Sequence, residues 1–293
     1  MRALAAALVN NGITAAALPS IRTSIARRMM NNVASEMNRK KLDGKVAVVT
    51  ASTAGIGFAI AKRLGQDGAR VVICSRKQAN VDAALEVLKA ERLGLEVMGV
   101  TCHVSQKEDR QKLLTKTQEH FGGIDILVNN AGTNPQYGDM LESTTEDNWD
   151  KIFDTNVKSA FFLTQETVPY MKNRGGGSVI FVASITAFNP MEWIPVYSVS
   201  KTSLVGMTKA LAPSCAKRNV RVNCIAPGII KTKFSKMLWE NEDLGKTVLT
   251  SMPIKRFGDV DDCSGVVSFL ASQDAAYITG ETIVIAGGMP SRL

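Results

Sequence analysis

Lys45-Val46-Ala47-Val48-Val49-Thr50-Ala51-Ser52-Thr53-Ala54-Gly55-Ile56-Gly57 is the stretch that decides the fold. Its opening is a β-branched run too short for a helix, its middle is a turn of small residues, and the amphipathic segment Phe58 to Leu64 follows at once. A buried strand that turns through glycine into a helix is the opening unit of a parallel α/β sheet. Gly55 and Gly57 let backbone approach a pyrophosphate at a helix N-terminus, where unpaired N–H groups and the helix dipole favour negative charge. Glycines at such turns are also often purely structural, so the turn alone leaves both readings open.

Outward from that turn the same unit repeats to the end of the chain. The buried strand candidates are Lys45–Thr50, Arg70–Ser75, Glu96–Thr101, Ile124–Asn129, Ser178–Ser184, Val220–Ile225 and Thr282–Ile285. With right-handed crossovers these predict an α/β fold, a doubly wound seven-stranded parallel sheet with helices on both faces and its ligand crevice at the carboxyl ends of the strands. At 293 residues and 45% hydrophobic, the chain can bury one large core. We therefore expect an N-terminal extension over residues 1–41 and a single domain over 42–293.

The second strand refines the expected ligand. Dinucleotide folds that select NAD place an acid at its end, whereas Ser75, Arg76 and Lys77 occupy that region here. An acid would repel a ribose 2′-phosphate, and Arg76 can grip one with two parallel hydrogen bonds. This favours NADP (NADPH) over NAD, against the plainer reading of a solvated Arg-Lys pair in a surface turn.

The formal charge of +8 resembles a nucleic-acid signal until it is divided. Residues 1–44 hold seven Lys or Arg against two acids, leaving +3 for the rest, with no basic stripe interleaved with aromatics. Nucleic acid is set aside as a partner. Five cysteines, odd in number and without CxxC spacing, suggest neither a disulfide framework nor a metal site. No apolar run reaches the roughly 18 residues needed to span a bilayer. Residues 1–35 carry Arg2, Arg22, Arg27 and Arg28 and no acid, and Ile21, Ile25, Met29 and Val33 recur every four residues, the pattern of a mitochondrial transit peptide or a membrane-surface helix. Ser291-Arg292-Leu293 is a close variant of the serine-lysine-leucine peroxisomal address. The expected location is the peroxisome, with its import receptor as a partner, and the mitochondrion is a second destination.

The candidate chemistry lies in Tyr197-Ser198-Val199-Ser200-Lys201, where the four-residue spacing puts Tyr197 and Lys201 on one helix face. A phenol with a pKa near about 10 needs a cation nearby to work at neutral pH. At about 4 Å and an effective dielectric near 20, one positive charge contributes about 4 kcal/mol, or about three pKa units. Such a pair is also common on exposed helices. Ser184 ends the fifth strand candidate at the crevice, where a hydroxyl can hold the reacting oxygen. Asn156, a weak helix former, falls in a long helical segment and needs a reason to be there, a buried water network or simple solvation.

At these residues the chain resembles the short-chain dehydrogenase/reductase family over residues 42–293. It is similar in the glycine turn, in Asn129-Asn130-Ala131-Gly132 after the fourth strand, in the Asn156, Ser184, Tyr197 and Lys201 set, and in Pro227-Gly228-Ile229-Ile230-Lys231-Thr232 after the sixth. Ser75-Arg76-Lys77-Gln78, Cys102-His103-Val104 and Phe234-Ser235-Lys236-Met237-Leu238-Trp239 look most like the subgroup of peroxisomal NADP-dependent carbonyl and retinal reductases. The resemblance implies a single-domain Rossmann fold, a homotetramer, and reversible NADPH-dependent reduction of carbonyl compounds. Tyr197 would be the general acid, Lys201 would lower its pKa and bind the nicotinamide ribose, Ser184 would orient the carbonyl, and Asn156 would hold a proton-relaying water. Ser52, Thr53, Gly55, Ile56 and Gly57 would line the pyrophosphate; His103, Val104, Asn130, Ala131 and Gly132 the adenosine side; Pro227, Gly228, Ile230 and Thr232 the carboxamide.

Three departures stand out. Ala51 occupies the usual first glycine, tolerable at negative φ. His103 replaces the usual Asp near the adenine. Pro213 predicts a kink or an early end of the helix carrying Tyr197 and Lys201. Phe188, Met191, Trp193 and Ile194, with Phe234, Met237, Leu238 and Trp239, should roof an apolar site suited to ketones, α-dicarbonyls or retinal. The alternatives are an oxidative alcohol or steroid dehydrogenase and a non-catalytic NADPH-binding protein.

Overall fold

Val46–Val49 forms β1, with all four residues buried. Successive strand side chains point to opposite faces, and the core divides accordingly. Val46 and Val48 join Val72, Leu113, Leu163 and Leu204 on one side; Ala47 and Val49 join Ile60, Leu64, Leu88 and Val267 on the other. Each such fully buried aliphatic side chain contributes about 1.5–3 kcal/mol. A strand buried on both faces has no polar alternation, which is why the run reads as continuous Val and Ala.

The computed structural model describes residues 40–90 and 94–291. The targeting readings on residues 1–35 and on Arg292-Leu293 lie outside them. The described residues from Lys41 onward make one compact unit. The remaining strands are β2 (Arg70–Ser75), β3 (Val97–Thr101), β4 (Ile126–Asn129), β5 (Gly177–Val182), β6 (Val220–Pro227) and β7 (Thr282–Ile285), in the order β3-β2-β1-β4-β5-β6-β7. Every pairing is parallel. The principal helices are α1 (Gly55–Gln66), α2 (Gln78–Ala90), α3 (Lys107–Phe121), α4 (Glu146–Phe153), α5 (Ser159–Asn173), α6 (Pro195–Ala216) and α7 (Val260–Ala271). Buried residues of α1, α2 and α7 pack in one layer and those of α3, α5 and α6 in the other. The expected doubly wound, seven-stranded Rossmann sheet is the observed fold.

The chain leaves β1 toward β2 and β3, then returns to place β4 on the other side of β1, with Val46 paired to Arg70 and Ala47 to Ile126. That reversal opens the crevice at the carboxyl ends of β1 and β4. β4 runs from Ile126, two residues later than expected, although Asp125 already joins the ladder, its N–H donating to Val46 O and its carbonyl accepting from Ser178 N, both at 2.9 Å. Its carboxylate accepts from Val46 N at 2.9 Å and pairs with Arg174 at 2.9 Å. β5 ends at Val182 rather than Ser184, whose Oγ instead accepts from Thr186 N to cap the 3-10 turn Ile185–Ala187.

Two of the local departures are resolved. Helix α6 runs through Pro213 and ends three residues later, at Ala216. Pro213 has no N–H for the carbonyl of Lys209 four residues back, so one bond of the ladder is lost just before the helix ends. Ala51, in contrast, has φ +49°, in the left-handed region where a β-carbon is strained. The turn holds it there by an outside grip: Asn130 Nδ2 donates to Thr50 O at 2.9 Å and to Ala51 O at 3.1 Å. Ala51→Gly is expected to relieve about 1 kcal/mol of strain, partly offset by greater unfolded-state freedom, raising Tm by about 1–2 °C in a thermal melt.

Candidate active site

Helix α6 has Pro195 in its first turn, where the missing N–H is no loss. One and two turns of α6 then set Tyr197 and Lys201 against the end of β5. Lys201 is buried, and its Nζ donates to the Val182 carbonyl at 2.8 Å and lies 5.5 Å from the centre of the Tyr197 ring. Burial lowers the lysine pKa to about 8. Tyr197 is buried too, with the Phe234 ring 5.6 Å from its own.

The phenol departs from expectation. Its pKa is raised, chiefly by burial; a hydrogen bond with Ser184 opposes the rise and Tyr137 adds to it. Charge alone predicts a fall, but desolvation outweighs it, and the Lys201 ammonium is held on the Val182 carbonyl, 5.5 Å from the centre of the ring. A phenol that keeps its proton at neutral pH is the right form to act as an acid.

Asn156 has its reason. It sits in a single π turn, Asp154–Lys158, inserted between α4 and α5. Fully buried, it accepts from Thr133 N at 2.8 Å and donates to Thr133 O at 3.1 Å and to Ser200 Oγ at 3.0 Å. Ser200 Oγ donates in turn to the Tyr197 carbonyl at 2.7 Å. The π turn thus anchors both the loop after β4 and the first turns of α6. Neither Thr133 nor Ser200 was legible as a partner, since nothing in their spacing points to Asn156.

The glycines of the crevice pack where a side chain would not fit. A Cβ on Gly57 would stand 2.4 Å from Asn130 Nδ2 and 2.6 Å from Ala51 O. Gly55 has φ +58°, and a Cβ there would meet Thr232 Cγ2 at 3.4 Å. A Cβ on Gly132 would approach Lys201 Nζ to 3.3 Å. The Ala54 N-cap makes no side-chain bond to the α1 N-terminus, leaving its N–H groups for an anion. These residues fit a dinucleotide. His103 Nδ1, expected toward the adenine, is buried without a hydrogen-bond partner among the described residues, and Val104 is buried beside it. Ser75 is half-buried, and Arg76 and Lys77 are exposed at the end of β2. Thr53 and Ala131 are half-buried on their turns. Ser52 has a different job: its Oγ donates to Val49 O at 2.6 Å and accepts from Cys74 N at 3.1 Å, tying β1 to β2.

A cavity of about 640 Å³ joins the glycine turn to the reacting residues. It brings together Gly55, Ile56, Gly57, Asn130, Gly132, Ser184, Tyr197, Lys201, Pro227, Gly228, Ile230 and Thr232, with Met191, Trp193, Ile194, Phe234, Met237 and Leu238 on its apolar side. Phe188 is not on its wall, because the 3-10 turn carries it past the cavity to the C-cap. Trp239 also stays off the wall and fastens the loop instead, its indole N–H donating to Thr232 O at 3.1 Å. Asn134 and Tyr137 line the cavity and were missed, lying in a loop with no periodicity to mark them. Among the described residues no cluster of side chains could hold a metal ion, and no helix is long and apolar enough to cross a membrane. All five cysteines are buried with free thiols.

Comparison with known proteins agrees with this geometry. The family model described as enoyl-(acyl carrier protein) reductase matches residues 50–290. Dehydrogenase/reductase SDR family member 4 from Oryctolagus cuniculus is 56% identical over 255 residues, 87% of this chain and 97% of that protein. A short-chain type dehydrogenase/reductase from Mycobacterium ulcerans superposes with TM-score 0.81 at 26% identity, covering 85% of this chain and 90% of the other. A 7α-hydroxysteroid dehydrogenase, solved with NADH and 7-oxo glycochenodeoxycholic acid, gives TM-score 0.81 at 28% identity, covering 87% and 98%. The chain therefore belongs to the short-chain dehydrogenase/reductase family, and is an NAD(P)-dependent oxidoreductase acting between C=O and CH–OH groups.

Proposed function

We propose that this chain uses NADPH to reduce apolar and aromatic carbonyl compounds, ketones, α-dicarbonyls and aldehydes such as retinal, to alcohols. The observation that carries the reading is the apolar-walled cavity whose polar floor is Tyr197 and Ser184. When bound, the dihydronicotinamide supplies the hydride that reduces the carbonyl carbon. Ser184 holds the carbonyl oxygen, and Tyr197 gives that oxygen its proton. Lys201, fixed on the Val182 carbonyl, stabilises the phenolate left behind. Both Asn156 donors are already used, so a water relay to Lys201 would run through the second lone pair of its Oδ1. The four residues stand assembled, which disfavours a binding protein without activity. A homotetramer belongs to the same proposal.

The test is NADPH oxidation, followed by absorbance, against a panel of aromatic ketones, dicarbonyls and aldehydes. Turnover that depends on the carbonyl supports the reading; bound NADPH with no turnover across the panel replaces it with the binding-protein alternative. The pH profile follows from the two shifts. Because the Tyr197 phenol is held up, its acid form is complete through neutral pH, so reduction should be flat there and fall as Lys201 loses its charge around pH 8. Alcohol oxidation needs the phenolate and should climb toward alkaline pH. Rates in both directions from pH 6 to 10 check this.

A further inference from the structure

We infer that Ser200 is a positioning residue that aims the Asn156 amide at Lys201, and so keeps open the route by which the Tyr197 phenolate regains its proton. The inference rests on the carbonyl-reductase reading and on the water relay within it. Ser200 and Asn156 are both fully buried, so bulk water does not compete for their hydrogen bonds. A serine hydroxyl has one proton and two lone pairs. Ser200 commits its proton to the Tyr197 carbonyl at 2.7 Å, so toward Asn156 it can only accept, and the group that meets it at 3.0 Å is Nδ2. Thr133 demands the same orientation, its N–H donating to Oδ1 at 2.8 Å and its carbonyl accepting from Nδ2 at 3.1 Å.

Two bonds to one residue leave the amide able to tilt about the line that joins them. The third bond stops that tilt, and it comes from the residue next to Lys201 on α6. The amide is thereby indexed to the helix that carries the lysine, and not only to the loop after β4. Its second Oδ1 lone pair is the acceptor left for a relaying water. A Cβ on Gly132 would come within 3.3 Å of Lys201 Nζ and 3.7 Å of Asn156 Oδ1, so the two groups border the same glycine, whose missing side chain leaves both uncovered. In each reduction Tyr197 gives its O–H proton to the carbonyl oxygen. Solvent replaces that proton through the water on Oδ1 and Lys201, one per turnover, and Ser200 keeps its own throughout.

The experiment is a double-mutant cycle in the full-length protein: wild type, Ser200→Ala, Asn156→Ala and the double variant, with Ser200→Thr as the conservative control, assayed with NADPH and the carbonyl compound that the panel turns over fastest. Ser200→Ala is expected to lower kcat about tenfold with KM and NADPH affinity within about twofold, and Ser200→Thr, which keeps the hydroxyl, to recover most of the loss. Because Ser200 acts through Asn156, the double variant should be no more than about twofold slower than Asn156→Ala alone. Imidazole buffer, which carries protons itself, should restore part of the rate of Ser200→Ala. Losses that multiply in the double variant, a Ser200→Ala kcat within twofold of wild type, or no response to imidazole overturns the inference. If Ser200→Ala does not fold, Ser200→Cys, similar in shape with a much weaker acceptor, takes its place in the cycle. Active wild type with Asn156→Ala also within twofold of it overturns the relay and the inference and leaves the carbonyl-reductase reading standing. Wild type that binds NADPH and reduces nothing in the panel overturns that reading, and the inference falls with it.

Discussion

Tyr197→Phe is expected to lower kcat by about 10³-fold while leaving NADPH affinity within about twofold. The substitution removes one oxygen from a ring packed against Phe234 and Lys201, and phenylalanine fills the same space. What disappears is the only proton donor aligned with Ser184 among the described cavity residues whose proton is held by burial. Loss of the acid from an otherwise intact site leaves the binding, orientation and hydride geometry in place, which is why some residual rate is expected. Single-turnover absorbance measures the chemical step, and a fluorescence titration measures cofactor binding. A variant retaining more than a tenth of wild-type kcat would remove Tyr197 from the role of acid.

Arg76→Asp is expected to lower kcat/KM with NADPH by about 10²- to 10³-fold and to improve the value with NADH. Arg76 stands exposed at the end of β2, one residue past a strand whose register with β1 is fixed over four pairs. Charge-assisted hydrogen bonds contribute about 1.5–3 kcal/mol each, and about 1.4 kcal/mol is a factor of ten. At an exposed site two such bonds fall at the lower end of that range and account for about 10²-fold, with the introduced repulsion extending it. The effect should fall on KM more than kcat, since Arg76 is not among the residues around the reacting atoms. Initial-rate kinetics with both cofactors decide it: wild type preferring NADH, or a variant losing both cofactors equally, would mean that Arg76 does not read the 2′-phosphate.

Much of this was legible in the chain itself, for physical reasons. The inner strands read as uninterrupted apolar runs because both their faces are buried, while the edge strands β3 and β7 are only partly buried and were marked by their place in the alternation. Tyr197 and Lys201 were marked by their four-residue spacing, the first glycine turn by its place after β1, and Ser184 by its place at a strand end together with the family resemblance. What escaped depends on three-dimensional context. The π turn at Asn156 adds a residue to a helix without changing its composition. The sign of the Tyr197 shift depends on burial, which a charge-and-distance estimate omits. Ala51 looks acceptable until its φ is known. Phe188 and Tyr137 exchanged places as expected and observed cavity residues because both sit in irregular loops, where aromatic character does not say which way a ring points.

The position of β1 between β2 and β4 bears on how the protein is made. Its partner on one side follows within about thirty residues, but on the other side Ala47, Val48 and Val49 wait for Ile126, Leu127 and Val128. During synthesis, β1 to β3 can emerge and pair while the far edge of β1 still presents unpaired N–H and C=O groups between two apolar faces. An open edge of this kind is a template for wrong pairing. The half-built sheet is therefore the stage at which the nascent chain most needs shielding by a chaperone, and mutations that delay docking of Ile126–Asn129 should lower yield in cells more than they lower the stability of the finished enzyme.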